Sequence, residues 1–327
     1  MASLARPFPK PDELDSDGIP WLFVRVLSGA KEHRATGHAA EMAFFAVLTL
    51  VPSTVAVGAA FGAFRHVVGS DLITKAEDAV TAAVRTLMGP ELADQAINPF
   101  VRAQLQEPRG GVGIGALLIA WWLSGRLFES TGHALDIVYG VTDRRTTLSS
   151  RLLALGFALA SVLLVSMTVE MMVTGPLGRP GAGPVDWLGL GRAYTVVWSV
   201  IRWPLLLAIV VAFLVALYRF SPNVRHCWRD NVPGAILGAA LWIVAGAGFR
   251  ISAAIGLRSS SGVSTDDPTV HIIGQSVNAV VATVIWAYLA SIAILLGGEF
   301  NAALGDRRRR RAPAEAGLTA MPPVAGV

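Results

Sequence analysis

Six long apolar runs, separated by polar segments, constrain this chain more than any other feature of its sequence. A helix needs roughly 20 apolar residues to cross a bilayer core about 30 Å thick. Lipid offers no partner for an open backbone, and the runs are too long and continuous for barrel strands. The sequence therefore predicts an all-α, polytopic membrane protein whose six transmembrane helices form a bundle. The approximate spans are 39–64, 112–137, 152–175, 194–218, 232–257 and 273–300.

Composition agrees with a membrane protein and excludes several kinds of site. Only 15% of the 327 residues are charged, whereas soluble domains carry about 25%. The single cysteine, Cys227, excludes an intramolecular disulfide and a Cys-rich metal site. The chain also lacks the G-x-x-x-x-G-K-[ST] motif of ATP hydrolysis. We therefore expect no metal and no cofactor.

The distribution of basic residues predicts the orientation. The N-terminal segment, the loops 140–151 and 219–231, and the C-terminal tail together hold 16 Lys and Arg, whereas the connections on the other side hold eight. Cytoplasmic loops carry the excess of basic residues. We therefore predict a multi-pass protein of the bacterial plasma membrane with both termini in the cytoplasm.

The segment YRFSPNVRHCWRD raises the alternatives of a nucleic-acid patch or a metal site. A 13-residue loop hardly supplies the broad basic face that nucleic acid requires, and His226 and Cys227 have no partner pair at ligand spacing. We interpret its arginines as topology anchors, and Pro222 and Pro233 as the limits of the flanking helices. The anchoring residues are Arg219, Arg225 and Arg229.

Around the spans, residues 19–305 form the predicted membrane domain, and residues 1–18 and 306–327 form disordered cytoplasmic tails, the second of them basic. Trp, Phe and cationic residues within 19–34 predict an interfacial helix lying on the membrane. Apolar residues at helical spacing between 72 and 87 predict an amphipathic helix in the first outer loop. An ordinary packed loop helix is the alternative for 72–87.

Ionisable residues inside spans are costly and are therefore candidates for a substrate or proton path. A cytoplasmic layer holds Glu41, Arg126, Glu129 and Glu299, and an outer layer holds Glu170, Arg202 and Arg250. In the outer layer only one carboxylate accompanies two arginines, which suits an anionic group. The alternatives are solvated interfacial carboxylates at Glu41 and Glu299, and arginines that snorkel to the outer interface.

Arg126 and Glu129 share one helical face and can pair with each other, so they either lock the helix packing or line the path. The glycine pairs Gly58 with Gly62 and Gly234 with Gly238 have the small-xxx-small spacing that allows helices to approach closely.

Four segments resemble the BrkB/YihY family of bacterial inner-membrane proteins over residues 20–305. They are HAAEMAFFAVLTLVPSTVAV, SGRLFESTGHALDIVYGVTDRR, LYRFSPNVRHCWRDNVPGAILGAALW and VIWAYLASIAILLGGEFNAAL. The resemblance implies a six-helix plasma-membrane protein. Family members have been tied to serum resistance, proposed to move lipids or other envelope molecules, or labelled ribonuclease BN.

We therefore predict a non-enzymatic membrane protein that exports or flips an anionic or lipid-like envelope molecule. A non-transporting scaffold of an envelope complex is the alternative. The absence of a His/Asp cluster at metal-ligand spacing argues against a ribonuclease. The expected partners are the bilayer, an anionic lipid or small-molecule substrate, and another copy or an envelope complex, but not nucleic acid.

Overall fold

The computed structural model describes residues 19–68, 110–141, 146–173, 191–223, 227–260 and 268–319. These residues form helices and contain no strand, which confirms the prediction of an all-α polytopic membrane protein. In chain order the helices are α1 (Ile19–Glu32), α2 (Ala35–Val68), α3 (Gly110–Val138), α4 (Thr147–Val173), α5 (Gly191–Phe220), α6 (Trp228–Ser260) and α7 (Pro268–Thr319).

Five of these helices contain a stretch that is long and apolar enough to cross a membrane. The helix α3 is also long and carries Arg126, Glu129 and Asp136, and it is not among the five. The count of six spans therefore stays a prediction. The five stretches are Ala35–Ser53, Thr147–Thr168, Val197–Phe220, Trp228–Gly248 and Val280–Arg310.

Large apolar side chains point away from the bundle on its long helices. Exposed aliphatic and aromatic residues recur along α3, α4, α5 and α6, as expected where lipid rather than water surrounds the helices. Examples with more than half of their surface exposed are Leu118, Trp122, Leu163, Val200 and Val244.

The interior of the bundle is organised around α7. The helix α2 packs along α3, α6 packs along α7, and α7 also contacts α1, α2 and α3. The buried core includes Leu135 from α3, Leu217 and Tyr218 from α5, Ala235 from α6 and Leu295 from α7. The helix α7 contributes to most of these contacts. The residues in its C-terminal half therefore lie where several helices meet.

Glycines set the closest approach in the described part of the bundle. Gly234 of α6 faces Gly297 of α7 so closely that a Cβ on either residue would overlap the carbonyl oxygen of the other. One α6 turn further on, a Cβ at Gly238 would lie 2.9 Å from the Tyr218 hydroxyl. The prediction of close packing at Gly234 and Gly238 is confirmed. Gly58 and Gly62 lie in the part of α2 whose packing is not described.

Two helix limits differ from those that the sequence predicts. The helix α6 begins at Trp228, so the prediction that Pro233 marks its start is wrong. A proline in the second turn removes one intrahelical hydrogen bond without ending the helix. The helix α7 runs through the five arginines to Thr319, where the sequence predicts a span ending near residue 300 and a disordered tail from residue 306. Arginine and alanine are good helix formers.

The predicted N-terminal helix matches α1, which ends at Glu32. Its placement on the membrane surface stays a prediction. The helix predicted within 72–87 and the tail at residues 1–18 lie outside the described residues.

Candidate functional site

At one end of the bundle, a buried carboxylate of α7 meets the turn between α1 and α2. The Nδ1 atom of His33 lies 2.7 Å from Oε1 of Glu299, whose side chain is only 4% exposed. Arg34 adopts a positive φ of 53° in this turn, which reverses the chain between the two helices. The turn thereby brings the imidazole to a residue 266 positions later in the sequence. We call this end of the molecule the Glu299 end.

The helix α1 is held against α7 by three further contacts. An Nη2–Oδ2 distance of 2.8 Å joins Arg25 to Asp306, and the guanidinium of Arg310 lies 6.0 Å from the ring centroid of the buried Trp21. Gly29 rests on the carboxylate, since a Cβ there would lie 2.6 Å from Oε2 of Glu299. The sequence places a helix at 19–34 but does not show that it covers Glu299.

A second buried group, Asn301, connects α7 to the start of α6. The backbone N–H of Gly234 donates to Oδ1 of Asn301 at 2.7 Å. The Asn301 amide in turn donates to the carbonyl oxygen of Asn231 at 3.2 Å. From α5, the hydroxyl of Tyr218 donates to the carbonyl oxygen of Ile294 at 2.6 Å. These bonds satisfy polar groups that would otherwise be costly to bury in a membrane bundle.

Next to this buried network lies a cavity of about 330 Å³. It is lined by charged and polar groups from α1, α7 and the end of α3. A neighbouring cavity of about 190 Å³ shares four of its lining residues, so the two cavities adjoin each other. The shared residues are Tyr139, Asn301, Gly305 and Arg309.

Two of the shared residues differ in their electrostatics. Burial raises the pKa of Tyr139, because desolvation disfavours the phenolate, and its hydroxyl therefore stays neutral. Arg309 is exposed and forms no ion pair with a described residue. Arg25 and Arg308, by contrast, are paired with Asp306 and Asp230. The cavity therefore presents one guanidinium, that of Arg309, which forms no ion pair with a described acid.

Arg126 and Glu129 form an ion pair on the flank of α3, as their spacing predicts. Their N–O distance is 2.7 Å, and the guanidinium lies 5.5 Å from the ring centroid of Phe45 on α2. From α4, the Nε atom of Arg151 reaches Oε1 of Glu129 at 3.9 Å. One carboxylate thus serves two guanidiniums. Whether the pair is structural or lines a path stays a prediction.

Glu41 lies on α2 with its side chain largely exposed. Its Oε2 is 3.9 Å from Nδ1 of His38, and the His38 ring meets that of His133 edge to face at 5.9 Å. The predicted cytoplasmic layer therefore separates into two settings, with Glu299 buried and Glu41, Arg126 and Glu129 on exposed or half-exposed flanks. Within the described residues, no group of three or more His, Cys, Asp or Glu side chains could hold a metal ion.

The predicted outer layer is described only in part. Arg202 of α5 is half-buried, and its guanidinium lies 5.3 Å from the ring centroid of Trp203. Glu170 and Arg250 lie within α4 and α6, but their side chains are outside the description. A shared outer vestibule therefore stays a prediction.

In the predicted anchoring loop, Arg219 lies in the last turn of α5 with its guanidinium 5.8 Å from the ring centroid of Phe220. Arg229 is exposed at the start of α6. Arg225 lies outside the described residues. The loop is tied to α3 because the N–H of Asn223 donates to Oδ1 of Asp136 at 3.1 Å. These positions are compatible with topology anchors, a role that stays a prediction.

Several residues of these sites are not singled out by the sequence, among them His33, Arg151 and Arg309. His33 and Arg309 lie outside the apolar runs, and Arg151 lies at a predicted span boundary. Asn301 appears only within the family-like segment GGEFN, just after the last span. That motif is the one signal that points toward the buried network.

A family model and two curated relatives match most of this chain. The sequence model described as virulence factor BrkB matches residues 26–318. YfkH of Bacillus subtilis, whose name calls it ribonuclease-like, is 25% identical over 85% of this chain and 92% of its own length. A UPF0761 membrane protein of Photobacterium profundum is 27% identical over 85% of this chain and 79% of its own length. No solved structure matches.

Proposed function

We propose that this chain, which belongs to the virulence factor BrkB family, moves an anionic or lipid-like envelope molecule across the bacterial plasma membrane. The excess of basic residues in the loops 140–151 and 219–231 and in both terminal segments supports an orientation with both termini in the cytoplasm. In this orientation the Glu299 end faces the cytoplasm.

The observation that carries the proposal is the polar cavity of about 330 Å³ at the Glu299 end. Arg309 lines this cavity without a described acidic partner, and guanidinium groups bind phosphate and carboxylate with two parallel hydrogen bonds. The cavity therefore suits an anionic head group whose apolar part stays in the bilayer.

The contacts of α1 suggest how access to the cavity is controlled. Arg25 and His33 line the cavity and also join α1 to Asp306 and Glu299. Breaking these two polar contacts would loosen this side of α1 and widen the opening, while Trp21 stays packed against Arg310 of α7. In the proposed role the protein binds and releases its substrate without changing it chemically, and no cofactor takes part.

A transport assay in proteoliposomes tests the proposal. The full-length protein is reconstituted with fluorescent phosphatidylglycerol or a fluorescent isoprenoid phosphate, and transfer between leaflets is followed by adding a membrane-impermeant quencher. We expect transfer above that of protein-free vesicles, and Arg309→Gln should slow it severalfold. The matched control is Arg229→Gln, which removes an exposed arginine that does not line either cavity.

Transfer no faster than in protein-free vesicles for both probes would contradict transport of these molecules. A thermal-shift screen against phospholipids, isoprenoid phosphates and small organic anions would then show whether any of them binds. If none raises the melting temperature, the scaffold becomes the better hypothesis, and crosslinking in cells is the next experiment.

The name of the Bacillus subtilis relative raises a nuclease as a candidate from another class. The proposal expects no RNA cleavage by the purified protein, with or without divalent cations. RNA cleavage activity that copurifies with the protein would contradict the proposed role in transport.

A further inference from the structure

We propose that Arg126, Glu129 and Arg151 form a site for the phosphate of an anionic phospholipid. The site lies on the lipid-facing flank of the bundle, between α3 and α4. This inference does not depend on the transport proposed above, because the site lies on another surface and would bind lipid in a protein that transports nothing.

The charges of the site are unbalanced. The carboxylate of Glu129 lies 2.7 Å from Arg126 and 3.9 Å from Arg151. Neither arginine forms an ion pair with any other described residue. Two guanidiniums therefore share one carboxylate, which leaves the group one positive charge in excess. A lipid phosphate would supply the missing negative charge.

The site is open to its surroundings. The Arg126 and Arg151 side chains are 39% and 62% exposed. Trp122, Arg126 and Glu129 follow one another at spacings of four and three residues, so they share one face of α3. Trp122 is itself 61% exposed on that face. In a membrane-spanning bundle this face meets lipid, and a lipid is the natural occupant.

Arg151 lies near the end of the bundle, at a level that suits a head group, whereas Arg126 lies deeper along α3. Arg126 lies twelve residues before Val138, the last residue of α3 at the Glu299 end, which is about 18 Å along the helix axis. Arg151 lies in the second turn of α4, which begins at that same end. The two arginines thus lie at successive depths, from the end of the bundle toward the bilayer interior.

Physical reasons favour the binding of a phosphate by Arg126 and Arg151. A guanidinium facing hydrocarbon is costly unless it snorkels or draws polar groups toward it. Basic pockets between transmembrane helices bind anionic lipid head groups. Phe45 supports the Arg126 guanidinium from α2 at 5.5 Å, and the exposed Leu148 and Leu152 of α4 offer apolar contact to acyl chains.

The test is lipid binding by the full-length protein in nanodiscs of phosphatidylcholine containing 20 mol% phosphatidylglycerol. Native mass spectrometry of the released protein counts the bound lipids of each kind. Arg151→Gln is the decisive variant, because its largely exposed side chain can change without disturbing the core. We expect it to weaken phosphatidylglycerol binding about fivefold, the loss of one exposed guanidinium that contacts the phosphate directly.

Glu129→Gln distinguishes a lipid site from a purely structural ion pair, because it should change binding in the opposite direction. Removing the competing carboxylate frees both guanidiniums, so phosphatidylglycerol should bind severalfold more tightly. Arg229→Gln is the matched control and should leave lipid binding unchanged. Glycerol phosphate in solution should not displace the lipid, since the proposed occupant is membrane-embedded.

Unchanged phosphatidylglycerol binding in both Arg151→Gln and Glu129→Gln would overturn the proposal. An equal loss in Arg151→Gln and Arg229→Gln would also overturn it, because binding would then follow overall charge. Displacement by glycerol phosphate would identify a soluble anion as the occupant instead of a lipid. A failure of transport in proteoliposomes would leave this binding result unaffected.

Discussion

Two carboxylates of this bundle, Glu299 and Glu129, occupy contrasting environments. The Glu299 side chain is 4% exposed and its partner His33 lies 266 positions away in the sequence. The Glu129 side chain is 27% exposed, and its nearer partner Arg126 lies three positions away on the same helix. The first pair holds separate parts of the chain together, whereas the second pair needs only helix geometry.

A charged residue within a predicted span can therefore be either buried in a structural pair or exposed on the surface of the bundle. Breaking a pair whose carboxylate is buried leaves an uncompensated buried group, which is costly. An exposed pair is easily replaced by solvent or a lipid head group and contributes little to stability. We therefore expect the Glu299 end to control stability and the α3 flank to control what binds there.

The largest expected effect is at the close contact between Gly234 of α6 and Gly297 of α7. Gly234→Ala would place a Cβ against the carbonyl oxygen of Gly297, so α6 and α7 must separate. We expect the free energy of unfolding to fall by about 3 kcal/mol, measured by denaturation in detergent. The matched control is Gly246→Ala on the same helix, where an added Cβ meets no heavy atom within 4 Å.

If both glycine variants are equally stable, the closeness of α6 and α7 is not what holds the Glu299 end together. If Gly246→Ala is the more damaging variant, an undescribed contact at that position outweighs the contact between Gly234 and Gly297.

A smaller effect is expected at the buried pair. In a double-mutant cycle with His33→Ala and Glu299→Gln, we expect a coupling free energy of about 2 kcal/mol, as for hydrogen bonds to charged groups. Urea unfolding of the four proteins measures it. If the effects of the two single changes on the free energy of unfolding are additive, α1 is held by its other contacts with α7, such as that of Arg25 with Asp306.

The smallest effect is expected on the flank. The equivalent cycle with Arg126→Gln and Glu129→Gln should give a coupling free energy of about 0.5 kcal/mol, because half-exposed pairs one turn apart on a helix are weak. The same unfolding assay applies. A coupling larger than that of His33 with Glu299 would reverse the comparison and favour a structural lock at Arg126 and Glu129.

The fold class and the local pairing follow from sequence because both depend on short-range rules. Apolar runs of about 20 residues predict the helices, and a spacing of three residues brings Arg126 beside Glu129. The spacing of Gly234 and Gly238 likewise predicts close packing. The end of α7 is harder to predict, because a basic tail carries no hydrophobic signal even when its residues are good helix formers.

The candidate site is predicted only in part. Glu299, Arg126 and Glu129 stand out because they are ionisable residues in or beside apolar runs. His33 and Arg309 do not stand out, because nothing in their local sequence shows what they contact, and Asn301 is marked only by the family-like segment around it. Glu41 and Glu299 look alike in sequence, yet one is largely exposed and the other is buried under α1.

The sequence by itself determined that this chain is a bundle of apolar helices and which charged residues its helices carry, since hydrophobic length and helical periodicity are local properties. Only the tertiary structure decided which charges are enclosed. That outcome depends on a turn at Arg34 that carries His33 to Glu299 and on glycines that let α6 approach α7. Contacts between residues hundreds of positions apart follow from how the helices pack, and packing is a property of the whole chain.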